Sequence, residues 1–314
     1  MRALVTGGAG FIGSTLVDRL LAEGHHVDVI DDLSTGSLAN LAEARATPGY
    51  ELTFHRLDIT EPTVIELLAH RRPEVVFHLA AQADVRISVE RPAFDAQVNV
   101  IGTLNVLEGA RAAGSRKVVF AASGGTLYGE PEKLPVTEAH PQRPLSPYGV
   151  SKKAAGDYLA AYRELHGIEF TALALANVYG PRQDPHGEAG VVAIFAGRLL
   201  AGEPCTIFGD GNQTRDFVYV DDVVDAFARA AHKGSGLLMN IGTGVETSVN
   251  GLYLAMAAAA GTDAPAAYAP ARPGELARSS LDPSRAGIHL GWAPWTTVAD
   301  GAAEVLRWFA ARPV

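Results

Sequence analysis

The chain has 314 residues, of which 47% are apolar and 19% charged, and its net charge is −9. That composition supplies core for one large domain or two smaller ones, and the acidic balance argues against nucleic acid as the main partner. Cys205 is the only cysteine, which excludes an intramolecular disulfide and a zinc cluster built on cysteines.

The opening Met-Arg-Ala-Leu-Val-Thr enters a strand directly, without a basic and then apolar leader. The most apolar helical stretch, Leu252 to Ala260, is far short of the roughly 20 residues that span a bilayer. Both features predict a soluble, cytoplasmic protein with no membrane partner. Ala3 to Thr6 reads as a strand, Phe11 to Ala22 as a helix and His26 to Ile30 as a second strand. Glu51 to Leu57, Val75 to Leu79, Lys117 to Ala121 and Phe170 to Leu175 continue the series, with helices over Ala93 to Ala113 and Tyr148 to His166. Alternating strands and helices predict an α/β fold: a doubly wound parallel sheet of Rossmann type covered on both faces. After residue 177 the rhythm breaks, with a Gly/Pro loop from Pro181 to Gly190 and a turn at Gly209 to Asn212. The expected division is residues 1–176, with a returning segment near 216–250, and a smaller C-terminal α/β domain over 177–314.

Gly7, Gly10 and Gly13 lie between the first strand and the first helix. Glycine there permits a tight turn, close approach to a pyrophosphate and close helix packing. The helix start, with Phe11 and Ile12, offers unpaired N–H groups to phosphate oxygens. Asp31 ends the second strand, where a carboxylate can accept from both ribose hydroxyls of an adenosine and repel a 2′-phosphate. No basic residue occurs from Asp31 to Glu43, which favours NAD over NADP. Tyr148 and Lys152 are four residues apart, hence on one helix face, and a cation beside a phenol favours phenolate, bringing the tyrosine nearer neutrality.

With these features in order, the chain resembles the extended short-chain dehydrogenase/reductase family, and within it the bacterial UDP-hexose 4-epimerase group. The resemblance is carried by His78-Leu-Ala-Ala-Gln82, Asn99-Val-Ile-Gly-Thr103, Ser123-Gly-Gly-Thr-Leu-Tyr-Gly129 and Asn177-Val-Tyr-Gly-Pro-Arg182. It continues through the stretch from Pro185 to Phe195, Arg215-Asp-Phe-Val-Tyr-Val-Asp-Asp222 and Arg272-Pro-Gly-Glu275. It implies an NAD cofactor on the glycine turn, Asp31, Asp32, Ser34, Thr35 and Gly36. Asp58 and Ile59 would border the adenine, and Leu79, Ala80, Ala81, Gln82 and Asn99 the phosphates and nicotinamide ribose. It implies a UDP-hexose substrate with Asn177, Arg215 and Arg272 on the diphosphate. Val191, Val192, Thr206, Ile207 and Phe208 would enclose the uridine, and Glu275 would hold its ribose.

The implied reaction has Tyr148, as phenolate, take the proton of the sugar 4-hydroxyl while C4 gives up hydride. The 4-ketose then turns and is reduced on its other face, interconverting UDP-glucose and UDP-galactose. Relatives place a catalytic serine where this chain has Gly124; Ser123 and Thr126 flank that gap, and either hydroxyl can serve. Dehydratase and decarboxylase cousins carry carboxylates where this chain has Gly125 and Thr126, so water elimination and decarboxylation lack their acid/base. Ser279 stands where some relatives have a bulky tyrosine, which predicts that UDP-GlcNAc and UDP-GalNAc are also accepted. Competing readings are a UDP-glucuronate 4-epimerase, with Arg86 or Arg182 on the C6 carboxylate, and a non-catalytic nucleotide sensor. His186 beside Glu188 has no evident third ligand, so no metal site is expected. The family implies a homodimer through the helices at Ala93 to Ala113 and Tyr148 to His166.

Overall fold

The computed structural model describes residues 1–185, 190–271 and 276–312. Its centre is a seven-stranded sheet. β1 is Arg2–Thr6, β2 His26–Asp31, β3 Leu52–Arg56, β4 Val75–His78, β5 Lys117–Ser123 and β6 Glu169–Leu175; a returning strand, Leu237–Ile241, completes it. Across the sheet the order is returning strand, β6, β5, β4, β1, β2, β3. Every pairing is parallel.

Strand side chains alternate between the two faces. Leu4, Ile30, Val76, Val118 and Phe120 pack on one face with Val64, Leu68, Val106 and Leu159. Val5, Val29, Phe77 and Val119 pack on the other with Leu16, Leu20, Val223 and Phe227. Both faces are therefore dry, which is why the strands read as near-continuous apolar runs. The second cluster continues without a break into Phe195, Tyr253, Trp292 and Phe309 of the C-terminal half. There the helices Val191–Leu200, Val249–Ala260 and Val298–Ala310 pack together. Short parallel pairs join Thr206–Phe208 to Ala267–Ala269 and Asn177–Tyr179 to Phe217–Tyr219.

Two elements depart from the sequence reading. The helix expected over Ala93 to Ala113 is three pieces: Pro92–Ala96, a π-helical turn at Gln97–Ile101, and Gly102–Ala113. Asn99 in that turn aims its amide at the Gln82 backbone, accepting from Gln82 N and donating to Gln82 O, both at 2.9 Å. The Thr103 hydroxyl donates to the Asn99 carbonyl at 2.7 Å. The π-helical turn thus carries Asn99 with its side chain tied to the β4 loop, and π-bulges are frequent near functional sites. Short helices at Val85–Glu90 and Gly124–Leu127 are also additional. No helix among the described residues is long and apolar enough to cross a membrane.

Candidate active site

The chain order reverses between β1 and β4, and in open α/β sheets ligands bind at such a switch point, beyond the carboxyl ends of the strands. Gly7 sits there with φ +71°, and a Cβ on it would lie 2.7 Å from Ala80 N of the β4 loop. The Gly13 α-carbon faces the Gly7 carbonyl so closely that a Cβ would approach it to 2.0 Å. Beyond Gly10, by contrast, a side chain would meet only that carbonyl, at 3.2 Å, among the described residues. Helix Phe11–Ala22 starts at Gly10 with no side-chain cap, so its first N–H groups face outward.

Asp31 is buried at the end of β2 and has a task the sequence did not reveal. Its carboxylate accepts from Ala9 N and Leu33 N, both at 2.9 Å, so it ties the glycine loop to the next turn. Burial raises its carboxyl against those backbone bonds. Asp32 Oδ1 accepts from the N and Oγ of Ser34. Ser37 N and Asn40 Nδ2 both donate to Ala9 O, closing the 33–40 segment, with Thr35 and Gly36, over the glycine loop. Asp58 caps its own turn by accepting from Thr60 N at 2.8 Å. Ile59 packs tightly on Gly102 at the base of the same edge.

Leu79 to Gln82 follow β4. Leu79 N and Ala80 N donate to the carbonyl and hydroxyl of Thr6. Gln82 and Asn99 hold each other as described, and both side-chain amides reach the buried Asp95. Behind them His78 is fully enclosed, with Thr6 Oγ1 at 2.7 Å on one ring nitrogen and Thr103 Oγ1 at 2.9 Å on the other. Enclosure holds its pKa down to about 3, so the ring stays neutral. His78 and Thr103 were quoted only within motifs and given no role, and Asp95 was missed altogether; its only signal was polarity within an apolar helical pattern.

Helix Pro147–His166 starts with Pro147 after the Ser146 cap, whose side chain accepts from Gly149 N. Its face presents Tyr148 and, one turn on, Lys152. Lys152 is 4% exposed; its Nζ donates to Ala121 O at 2.9 Å and lies 4.8 Å from the Phe120 ring centre and 5.8 Å from that of Tyr148. Burial lowers the ammonium to about 8. The expectation that Tyr148 titrates nearer neutrality is not met. Burial pushes it up to about 12, opposed by a hydrogen bond with the Ser123 side chain. With no cation among the described residues in direct contact with the phenol oxygen, desolvation wins.

Of the two flanking hydroxyls, Ser123 thus meets Tyr148, whereas the Thr126 hydroxyl is buried and makes no hydrogen bond. A Cβ at Gly124 would lie 2.3 Å from Leu281 Cδ1, pointing into the core. Leu281 belongs to a segment that joins the two halves of the cleft: Val136 N donates to Ser280 O, and Leu281 N donates to buried Asp216. Asp216 also accepts from Thr243 and Gly244. Beside it, Arg215 donates to Thr214 O and Leu276 O at 2.8 Å, and Asn177 N donates to Asp216 O. Asn177 and Arg215 are therefore neighbours. Val191 and Val192 open helix Val191–Leu200, and Thr206, Ile207 and Phe208 form an edge strand, with Val192 and Ile207 buried in the core. Arg86 stands 66% exposed on helix Val85–Glu90, 3.6 Å from Asp84. Arg182 is paired with Asp18 at 2.6 Å. Arg272 and Glu275, like His186 and Glu188, lie outside the described residues.

Comparison with known proteins agrees with this geometry. Residues 3–242 match the model of the NAD dependent epimerase/dehydratase family. The chain is 53% identical to the UDP-glucose 4-epimerase of Mycolicibacterium smegmatis, over 98% of each protein. Its fold superposes with a TM-score of 0.94 on the UDP-glucose 4-epimerase of Thermotoga maritima solved with UDP-glucose, 45% identical and covering 99% of both chains. The Thermus thermophilus UDP-glucose 4-epimerase in complex with NAD gives 0.91 at 44% identity, covering 99% of this chain and 100% of that one. This chain belongs to the NAD dependent epimerase/dehydratase family.

Proposed function

We propose that the chain is an NAD-dependent UDP-glucose 4-epimerase, interconverting UDP-glucose and UDP-galactose through a 4-keto sugar. The observation that carries this reading is the Tyr148 phenol close to Ser123 with the buried Lys152 ammonium 5.8 Å from its ring centre, at the carboxyl edge of the sheet next to the switch point. NAD fits the residues present: open space beyond Gly10, uncapped N–H groups at Phe11 and Ile12, and a carboxylate at Asp31 with lone pairs left for ribose hydroxyls. Bound NAD supplies the reversible hydride acceptor for C4 and a positive charge beside the phenol. Tyr148 takes the 4-hydroxyl proton and later returns it, work worth about 10²–10⁴ in rate. Ser123 relays or shares that proton. Lys152 stabilises the phenolate, and Thr126 stands next to the Ser123 side of the site with its hydroxyl buried.

On this reading Asn177 and Arg215 hold the diphosphate, because a guanidinium fork and an amide match its oxygens. Residues 1–176, with the segment that returns near 216–250, carry the cofactor, and 177–314 the UDP-sugar. Anchoring the diphosphate leaves the hexose free to turn. No carboxylate stands at Gly125 or Thr126, which favours epimerisation over elimination. The UDP-glucuronate reading loses support because Arg182 is committed to Asp18 and Arg86 lies beside Asp84. Half-buried Ser279 is a small side chain where some relatives carry a bulky tyrosine, so UDP-GlcNAc and UDP-GalNAc are further substrates. A homodimer fits the apolar side chains exposed around the two helices, Phe94, Ile101, Leu145, Val150 and Tyr158. The cytoplasm is the compartment.

The test is to incubate the pure protein, without added cofactor, with UDP-glucose, UDP-GlcNAc and UDP-glucuronate and to separate the products. The proposal expects UDP-galactose and UDP-GalNAc, with NAD released on denaturation. Turnover of UDP-glucuronate alone, or of nothing, would overturn it.

A further inference from the structure

Asp95 is fully buried on the short helix Pro92–Ala96, and three uncharged donors converge on it. Ser151 Oγ donates to Oδ2 at 2.6 Å, and Gln82 Nε2 and Asn99 Nδ2 donate to Oδ1 at 3.0 Å each. No arginine or lysine among the described residues pairs with it. Ser151 stands between Tyr148 and Lys152 on the catalytic helix, and Gln82 and Asn99 belong to the cofactor edge. One carboxylate therefore binds the proton-transfer helix to the strand end that faces the cofactor. A buried carboxylate without a cation in contact is costly. So is the buried Lys152 ammonium, whose own hydrogen bond goes to the neutral Ala121 carbonyl. The Asp95 charge acts in favour of the Lys152 ammonium.

Resting on the reading of Tyr148 and Lys152 as the proton-transfer pair, we infer that Asp95 is a positioning residue that keeps Lys152 protonated and fixes the catalytic helix against Gln82 and Asn99. Among the described residues Asp95 is the one carboxylate that acts on both members of the pair. His78, from β4, is neutral; Ser123, from β5, is uncharged. Asp84, on the adjoining segment, caps its own helix and faces Arg86. Burial lowers Lys152, and Asp95 opposes that; Asp95 also adds to the raising of Tyr148. Removing its charge therefore lowers both titrations together.

The experiment compares the NAD-loaded wild type with Asp95→Asn, Asp95→Glu and Ser151→Ala. It reads kcat for UDP-galactose against pH and, separately, the tyrosinate ultraviolet absorbance as a difference from Tyr148→Phe. Asparagine is isosteric and retains three partners, with the Ser151 hydroxyl turning to accept. In Asp95→Asn both limbs of the kcat profile, and the tyrosinate titration, are expected to move to lower pH by about one unit. Ser151→Ala and Asp95→Glu keep the charge, so they should lower kcat with the limbs in place. A uniform fall in kcat for Asp95→Asn with unmoved limbs, an unchanged enzyme, or limbs that move as far in Ser151→Ala, would overturn the inference. If Asp95→Asn does not fold, limbs that shift in Asp95→Glu overturn it equally. Absence of turnover in the wild type would instead strike the proposed reaction, while the absorbance titration would still read the effect of Asp95.

Discussion

Reinstating serine at residue 124, the position relatives use, should harm this protein and not help it. The Cβ of a Gly124→Ser variant would lie 2.3 Å from Leu281 Cδ1, 3.1 Å from Leu175 O and 3.2 Å from Ala174 O. The two carbonyls belong to the sheet and its edge and cannot move. Leu281 is 1% exposed, and its own N–H is bound to Asp216, so only its side chain can give way. Overpacking of this kind costs about 1–3 kcal/mol. The new hydroxyl would also face the core and not Tyr148, so no rate gain follows. Leu281→Ala alone should cost about 2–5 kcal/mol by leaving a cavity. Combined with Gly124→Ser it should cost less than the sum, by about 1 kcal/mol or more, because serine then occupies part of that cavity. Urea unfolding followed by tryptophan fluorescence measures the cycle, and kcat is read on the same preparations. Gly124→Ser with wild-type stability and raised kcat, or a strictly additive cycle, would refute the geometry argued for this wall.

Three further outcomes follow. Ser123→Ala, which removes the hydroxyl that opposes the raising of Tyr148, should lower kcat by about 10²-fold or more with little change in KM, measured with UDP-galactose; intact turnover would remove Ser123 from proton transfer. Asp31→Ala loses both the backbone clamp on Ala9 and Leu33 and the ribose acceptor, so NAD retained through purification should fall at least about tenfold. Buried Lys117 provides a pH test. Its Nζ donates to Lys233 O at 2.5 Å, and burial lowers it to about 8, against about 10.4 in an unfolded chain. Between those values the unfolded chain holds a proton that the folded one lacks, so stability from this group rises with pH, and below about 8 its cost is fully present. Lys117→Met should therefore melt higher than wild type at pH 7, with the advantage shrinking towards pH 10; Lys233 O keeps Thr171 Oγ1 as a partner. A difference that does not vary with pH would contradict this.

The parallel sheet was legible because strands buried on both faces leave unbroken apolar runs such as Val75–His78, and the glycine loop announced where the first turn must tighten. The catalytic helix was legible from Ser146 and Pro147 at its start and from the Tyr148–Lys152 spacing. What stayed hidden depends on contacts distant in sequence. The π-helical turn carries Asn99, whose amide reaches back to Gln82, and no local periodicity encodes that contact. Asp31 reads as a ribose ligand, yet its bond to Ala9 is visible only once β2 lies beside β1. The tyrosine's acidity was misjudged for a related reason: spacing places Lys152 under the ring, but only the fold reveals that burial outweighs it at the phenol. Gly124 looked like a missing serine, whereas the fold gives a Cβ there no direction except into Leu281.

The central claim, reversible oxidation at C4 with a cofactor that never leaves, is tested most directly by isotope. UDP-galactose carrying deuterium at C4 is incubated with the pure protein in ordinary water, without added NAD, and the UDP-glucose formed is analysed by mass spectrometry and proton NMR. The account predicts UDP-glucose with deuterium retained at C4, and no such product with Tyr148→Phe. Product that has exchanged its deuterium for solvent hydrogen, or turnover that survives unchanged in Tyr148→Phe, would contradict it.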